Sequence, residues 1–256
     1  MTVTVTKTAV PHARRLGWQL AEVCEIVVET YRVKSLLLRV RNWHGHQPGQ
    51  HVDIRLTAED GYQAQRSYSI ASPPEDELLT LTVEQVENGE VSQYLVGDVR
   101  VGDRFELRGP VGGYFIWTTA MGGPLALIAG GSGIVPLMAM LRHRDRVNGR
   151  PSASLLYSSR SLEHVIYREE LDAMARRDSD LRVVNTLTRK QPKGWMGHRR
   201  RIDKAMLVEA CFPPVQNPKI FVCGPTPFVE DVSRLLVELG YNPLTIKTER
   251  FGPSGG

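Results

Sequence analysis

Seven consecutive residues, Arg66-Ser67-Tyr68-Ser69-Ile70-Ala71-Ser72, place a cation, an aromatic ring and hydroxyls along one short segment. Read as a β-strand, the segment sends Arg66 and Tyr68 to one face and Ser67 and Ser69 to the other. These types suit a flat, anionic cofactor. A guanidinium grips a pyrophosphate through paired hydrogen bonds, an aromatic ring covers a heteroaromatic face, and a hydroxyl reaches a ring nitrogen. An ordinary strand with a surface arginine is the competing reading, and this segment alone does not choose between them.

Three further blocks bear on the choice. Gly89-Glu90-Val91-Ser92 reads as a turn opening a short helix, whose free backbone N–H groups and Ser92 hydroxyl face an anion. In Ile128-Ala129-Gly130-Gly131-Ser132-Gly133-Ile134-Val135-Pro136 a strand runs into a glycine loop and then a helix. That arrangement turns N–H groups toward a pyrophosphate, although it departs from the G-x-G-x-x-G fingerprint. Ile220-Phe221-Val222-Cys223-Gly224-Pro225 ends a later strand; the ordinary fate of such a cysteine is to fill a core.

The elements that position these blocks fall into two groups. From Trp18 to Leu107, short strands (Ala21–Glu29, Val33–Arg39, His51–Leu56, Ser67–Ala71, Leu78–Gln85, Arg104–Leu107) alternate with turn residues such as Pro48-Gly49, Asp60-Gly61 and Asn88-Gly89. This pattern predicts a small antiparallel barrel. After Gly122-Gly123-Pro124 strands alternate with helices: Leu125–Ala129, Pro136–Val147, Ala153–Tyr157, Tyr167–Arg176, Leu181–Leu187, Asp203–Ala210, Lys219–Cys223, Pro227–Leu239 and Leu244–Thr248. Such alternation predicts a doubly wound parallel sheet with ligands at the carboxyl ends of its strands. Thr226 is the expected N-cap of the last helix and Gly240 the residue just past its end. The expected organisation is a tail over 1–17, a barrel domain over 18–119 and an α/β domain over 120–256.

The order and spacing of the Arg66, Gly130 and Cys223 blocks resemble the ferredoxin–NADP reductase family of flavoenzymes, over about Trp18 to Phe251. The resemblance implies FAD on the barrel, a nicotinamide dinucleotide on the α/β domain and hydride transfer between them. By match of motif, Ser69, Cys223 and Glu249 line the hydride-transfer site. The FAD contacts it implies are Arg66, Tyr68, Ser69, Gly89, Val91, Ser92 and Phe251; those to the nicotinamide dinucleotide are Gly130, Gly131, Ser132, Gly133, Cys223, Gly224 and Pro225. Phe251 follows Glu249 by two residues, as the chain-terminal tyrosine does in plant-type members, but five residues lie beyond it here, which leaves its stacking role open. Thr188-Arg189 resembles the pair that holds the 2′-phosphate in NADPH-specific members, with Arg160 a further candidate, so NADPH is the expected donor and NADH the alternative.

Composition narrows the function further. A hydrophobic fraction of 41% and a charged fraction of 23% are those of a soluble globular chain. No signal-type segment or long apolar run is present, so a cytoplasmic protein without a membrane is expected. Net charge is +4, too small an excess to argue for nucleic acid. Cys24, Cys211 and Cys223 stand singly and supply no iron–sulfur or zinc ligand set. Electrons are therefore expected to pass to a separate protein, ferredoxin-like or a component of an oxygenase or other redox system; oligomeric state is not legible. Arg142, Arg144 and Arg146, with the Arg199–Arg201 run, read either as solvated helix faces or as a docking surface for an acidic carrier. No H-E-x-x-H or G-x-S-x-G occurs, consistent with hydride transfer, in which the cofactors supply the reactivity. A reductase of free flavin or quinones, and a non-catalytic electron-transfer subunit, are the competing readings.

Overall fold

The computed structural model describes residues 16–252, so most of the expected tail and the last residues of the expected second domain lie outside them. Strands β1 (Gln19–Thr30), β2 (Val33–Val40), β3 (His51–Thr57), β4 (Gln63–Ser69), β5 (Leu79–Glu84) and β6 (Arg104–Val111) form an antiparallel sheet in the order β4-β3-β6-β1-β2-β5. An antiparallel bridge between Ile70 and Leu81 links its two edges, curling the sheet into a barrel around Val23, Leu36, Leu38, Ile54, Leu81, Leu95 and Leu107. Helix α1 (Glu90–Gly97) plugs one end with Val91 and Leu95.

Several strands run longer than their sequence suggests, β4 and β6 among them. β4 starts at Gln63 because its polar first half, Gln63 to Arg66, carries no apolar alternation yet pairs fully with β3 from Thr57 to Ile54. β6 continues through Gly109-Pro110 to Val111, a dipeptide that argues against a strand. An irregularity in the β3 pairing between His51 and Asp53 accommodates it.

β7 (Leu125–Gly130), β8 (Ala153–Ser161), β9 (Leu181–Lys190), β10 (Lys219–Pro225) and β11 (Ile246–Phe251) form a parallel sheet in the order β11-β10-β7-β8-β9. Helices α2 (Ile134–Arg146) and α3 (Arg168–Arg177) cover one face, burying Leu137, Met138, Leu141, Leu171 and Met174. Helices α4 (Lys204–Ala210) and α5 (Thr226–Glu238) cover the other, with Met206, Leu207, Val229 and Leu236. Winding reverses between β7 and β10, the switch point where open α/β sheets bind ligands. Gly240 follows α5 at φ +87 as expected, but Thr226 is its first residue and not its cap. Pro225, held extended at φ −57 and ψ 145, takes the boundary position with no side-chain cap.

The basic run on α2 is a structural seam, which corrects its reading as a docking face. Arg144 is 1% exposed and donates to Asp178 Oδ2 at 2.5 Å inside the α/β domain. Arg142 pairs with Glu170 and donates to the Ala71 carbonyl, His143 meets Glu75, and Arg146 meets Asp76. Three of these four side chains therefore tie α2 to the loop that follows β4. Among the described residues no helix is long and apolar enough to cross a membrane, and no group of three His, Cys, Asp or Glu is placed to hold a metal.

Candidate active site

Strand register assembles the α/β side of the site. Cys223 on β10 lies between Ala129 on β7 and Glu249 on β11, so a cysteine and a carboxylate far apart in sequence become lateral neighbours. The glycine loop packs directly on this strand end. A Cβ at Gly133 would sit 2.1 Å from the Cys223 carbonyl oxygen, and one at Gly130 2.9 Å from the Phe228 ring. No side chain fits at either position, so the start of α2 comes within backbone distance of β10 at the switch point.

The barrel supplies the opposite wall. Ser69 ends β4 and pairs with His51 on β3, while Ser67 donates to Asp53 Oδ1 and Arg108 donates to Asp53 Oδ2. Between the walls runs a cleft of about 540 Å³, within the range of small-molecule sites. It is lined by Arg66, Ser67, Tyr68, Ser69, Thr82 and Glu84, by the Gly89 to Ser92 turn, and by Ser132, Val135, Glu249, Arg250 and Phe251. Cys223, expected at this site, does not line the cleft; it is fully buried in β10 as the strand neighbour of Glu249.

Burial sets the chemistry of this strand pair. Glu249 Oε2 is buried with no hydrogen-bond partner among the described residues, and desolvation pushes its carboxyl up to about 7. Burial, and then the neighbouring Glu249, hold the Cys223 thiol well above its ordinary value, so Cys223 is not a thiolate nucleophile. Burial lowers His51, keeping that ring neutral. Arg66 is exposed and forms no ion pair among the described residues; its one internal contact is the Gln65 carbonyl. Arg66 lines the cleft together with the start of α1, and Glu249 together with Ser132 of the glycine loop; a free guanidinium and a helix start suit a pyrophosphate, and a partly buried carboxyl beside a glycine loop suits the nicotinamide end of a dinucleotide. The residues present fit both groups.

Residues 19–116 match the oxidoreductase FAD-binding domain family and residues 127–234 the oxidoreductase NAD-binding domain family. The chain is 31% identical over 201 residues to NADH-cytochrome b5 reductase 1 of Aspergillus oryzae, covering 75% of this chain and 68% of that protein. It belongs to the ferredoxin–NADP reductase superfamily. It is also 30% identical over 243 residues to the glycine betaine monooxygenase reductase subunit of Pseudomonas aeruginosa, covering 93% of this chain but only 65% of that subunit's length. Among solved structures, the flavohem-like FAD/NAD-binding domain of nitric oxide dioxygenase from Vibrio cholerae superposes with a TM-score of 0.80 at 25% identity, covering 93% of this chain and all of that one.

As a member of this superfamily the chain brings Ser69, Glu249, Arg66, Tyr68, Gly89, Val91, Ser92, Ser132 and Phe251 to one cleft. Gly130, Gly131, Gly133, Gly224 and Pro225 form the adjoining β7 and β10 ends. Arg160, Thr188 and Arg189 do not line the cleft. They lie together at the carboxyl ends of β8 and β9, where the pairing shifts between Ser159 and Ser161, and Thr188 Oγ1 donates to the Ser159 carbonyl. One expected role needs correction. The Ser92 hydroxyl accepts from Val86 N–H and donates to the Gly89 carbonyl, so it braces the turn, and the backbone N–H groups of α1 are what the turn offers an anion. His51 and Thr82 line the cleft without having been singled out, since each reaches it through cross-strand pairing that no local motif announces.

Proposed function

We propose that this chain is an FAD-dependent reductase that takes a hydride from NADPH and passes electrons singly to a separate protein, ferredoxin-like or an oxygenase component. The observation that carries the reading is the Glu249 carboxyl, its Oε2 without a partner among the described residues, in one cleft with Ser69 and beside Cys223 in the sheet. FAD, when bound, supplies the conversion between two-electron and one-electron transfer.

The chain's own residues then have distinct tasks. Arg66 and the first N–H groups of α1 hold the FAD pyrophosphate, Tyr68 covers the ring system, and Ser69 donates to a ring heteroatom. The backbone of Gly130 to Gly133 receives the pyrophosphate of the nicotinamide dinucleotide, while Cys223-Gly224-Pro225 bounds its nicotinamide end. Glu249, with a carboxyl near 7, holds or yields a proton at Oε2 at neutral pH. Phe251 closes the cleft beside it. Arg160, Thr188 and Arg189 recognise the 2′-phosphate and so favour NADPH; neither arginine is paired with a carboxylate among the described residues. A separate acceptor is supported by the relative named as the reductase subunit of a monooxygenase.

The test is anaerobic reduction of the FAD-loaded protein by NADPH. Cys223→Ala and Ser69→Ala should slow this single turnover while leaving FAD bound. Reduction rates equal to wild type in both variants would remove these residues from the site. A protein carrier reduced no faster than free flavin would favour the flavin-reductase reading, and no reduction at all the non-catalytic one.

A further inference from the structure

Between the barrel and the α/β domain runs a buried line of hydroxyls to which hydride transfer assigns no task. Ser35 Oγ donates to Glu29 Oε1 at 2.6 Å, Thr82 Oγ1 lies 2.7 Å from Ser35 Oγ, and the Tyr167 hydroxyl donates to Thr82 Oγ1. Ser35 and Thr82 are cross-strand partners on β2 and β5, and all three hydroxyl residues are at most 5% exposed. Each hydroxyl has one proton and two lone pairs. Since Ser35 commits its proton to Glu29, Thr82 must donate to Ser35, and the line points one way, toward the carboxylate. Thr82 keeps a lone pair for one further donor.

Both ends of the line open on a cavity. Thr82 lines the active-site cleft, while Glu29 and Ser35 line a second cleft of about 420 Å³ between the barrel and helices α2 and α3. Burial holds the Glu29 carboxyl above its ordinary value, against the pull of Ser35 and of Arg142 from α2; Glu170 from α3 pushes it further up and the Tyr167 N–H draws it down. Asp76, Asp145, Arg146 and Arg177 line the same second cleft. The backbone is strained at this place: Tyr167 has φ +57, a left-handed conformation that a bulky residue rarely adopts. Its ring lies under the Arg142 guanidinium, 4.8 Å from the centroid. Strain maintained by contacts across a domain seam marks a position whose geometry matters.

Proton accounting supplies the task. NAD(P)H delivers two electrons and one proton as a hydride, and acceptors that take only electrons leave that proton behind: NAD(P)H + 2 A(ox) → NAD(P)+ + H+ + 2 A(red). We infer that Thr82, Ser35 and Glu29 form its exit. A proton released in the active-site cleft is taken up by Thr82 Oγ1, Thr82 passes its own proton to Ser35, Ser35 passes its own to Glu29, and Glu29 gives it up to water in the second cleft. Tyr167 is a positioning residue, whose bond to Thr82 keeps the Thr82 proton aimed at Ser35. This inference rests on the reductase reading, and its test separates the two.

FAD-loaded wild type, Thr82→Val, Thr82→Ser and Glu29→Gln would be followed by stopped flow in two half-reactions: reduction by NADPH, and reoxidation by ferricyanide, which takes electrons only, or by benzoquinone, which takes protons with them. Glu29→Gln, outside the active-site cleft, should leave reduction and benzoquinone reoxidation within about twofold of wild type; in the Thr82 variants, whose residue lines that cleft, ferricyanide reoxidation is read as a ratio to benzoquinone reoxidation. Ferricyanide reoxidation should slow by at least about tenfold in Thr82→Val and Glu29→Gln, a modest share of what proton transfer contributes, and Thr82→Ser should restore it. The wild-type rate should rise with pH as Glu29 becomes an available base, and Glu29→Gln should flatten that rise. Independently of rate, time-resolved infrared spectra during ferricyanide reoxidation should show a transient protonated-carboxyl band that Glu29→Gln removes. Equal ferricyanide rates in wild type and both hydroxyl-line breaks, or loss in Thr82→Ser as large as in Thr82→Val, would overturn the exit. Failure of NADPH to reduce the wild type would instead overturn the reductase reading, and photoreduced protein would still report on the line.

Discussion

Replacing Glu249 with Gln should change the pH dependence of folding in a direction fixed by its environment. The carboxyl sits half-buried at the end of β11, its Oε2 without a partner, and burial raises it from the ordinary 4.5 to about 7. A group held higher in the folded chain than in the unfolded one adds stability at low pH, and that stability is lost as pH rises through the folded value. The window is therefore from about 4.5 to about 7. Full expression of the shift is worth about 3 kcal/mol, and partial exposure reduces this toward about 2. At roughly 2–4 °C per kcal/mol for a chain of this size, wild type should lose roughly 5–10 °C of Tm relative to Glu249→Gln between pH 5 and 8. The assay is thermal or urea unfolding of FAD-free protein across that range, read as the difference between the two proteins so that other titrating groups cancel. A difference that stays flat, or that grows in favour of wild type with pH, would refute the assignment of a desolvated, unpartnered carboxyl. It would also remove the proton-holding role proposed for Glu249.

Three other substitutions test the remaining parts of the site. Arg66→Ala removes an unpaired guanidinium from the cleft and should raise the Kd for FAD roughly ten- to a hundredfold, since a charge-assisted contact contributes about 1.5–3 kcal/mol; calorimetric titration of FAD-free protein with unchanged affinity would exclude it from the pyrophosphate site. Arg189→Ala should raise KM for NADPH far more than for NADH, whereas equal losses would move recognition to Arg160 or show that NADH is the donor. Arg144→Gln should destabilise the α/β domain by about 3–5 kcal/mol in urea unfolding, because it strands the buried Asp178; unchanged stability with slower reduction of an acidic carrier would return Arg144 to a docking role.

Local pattern carried most of the fold, and the limits of local pattern explain what was missed. Apolar runs such as Leu125 to Ala129 and the glycine blocks after them announce a parallel sheet and its ligand edge, because a strand buried on both faces must be apolar throughout. The polar half of β4 has no such signature: Gln63 to Arg66 are strand only because β3 lies beside them. Side-chain partnership was less legible still. Arg144 looks like any arginine on a basic helix, and nothing within α2 shows that Asp178, beyond the next helix, will bury it. Ser92 carries a hydroxyl that suits an anion, yet the Val86 N–H three residues upstream of its turn takes it first. Ser35, Thr82 and Tyr167 are unremarkable in their own strands and loop, and become a line only when β2 meets β5 and the α/β domain closes over both. Motifs identify groups that must meet a ligand through backbone and glycine. Groups that act through one another across strands and domains are selected by register, which a single chain states only once it has folded.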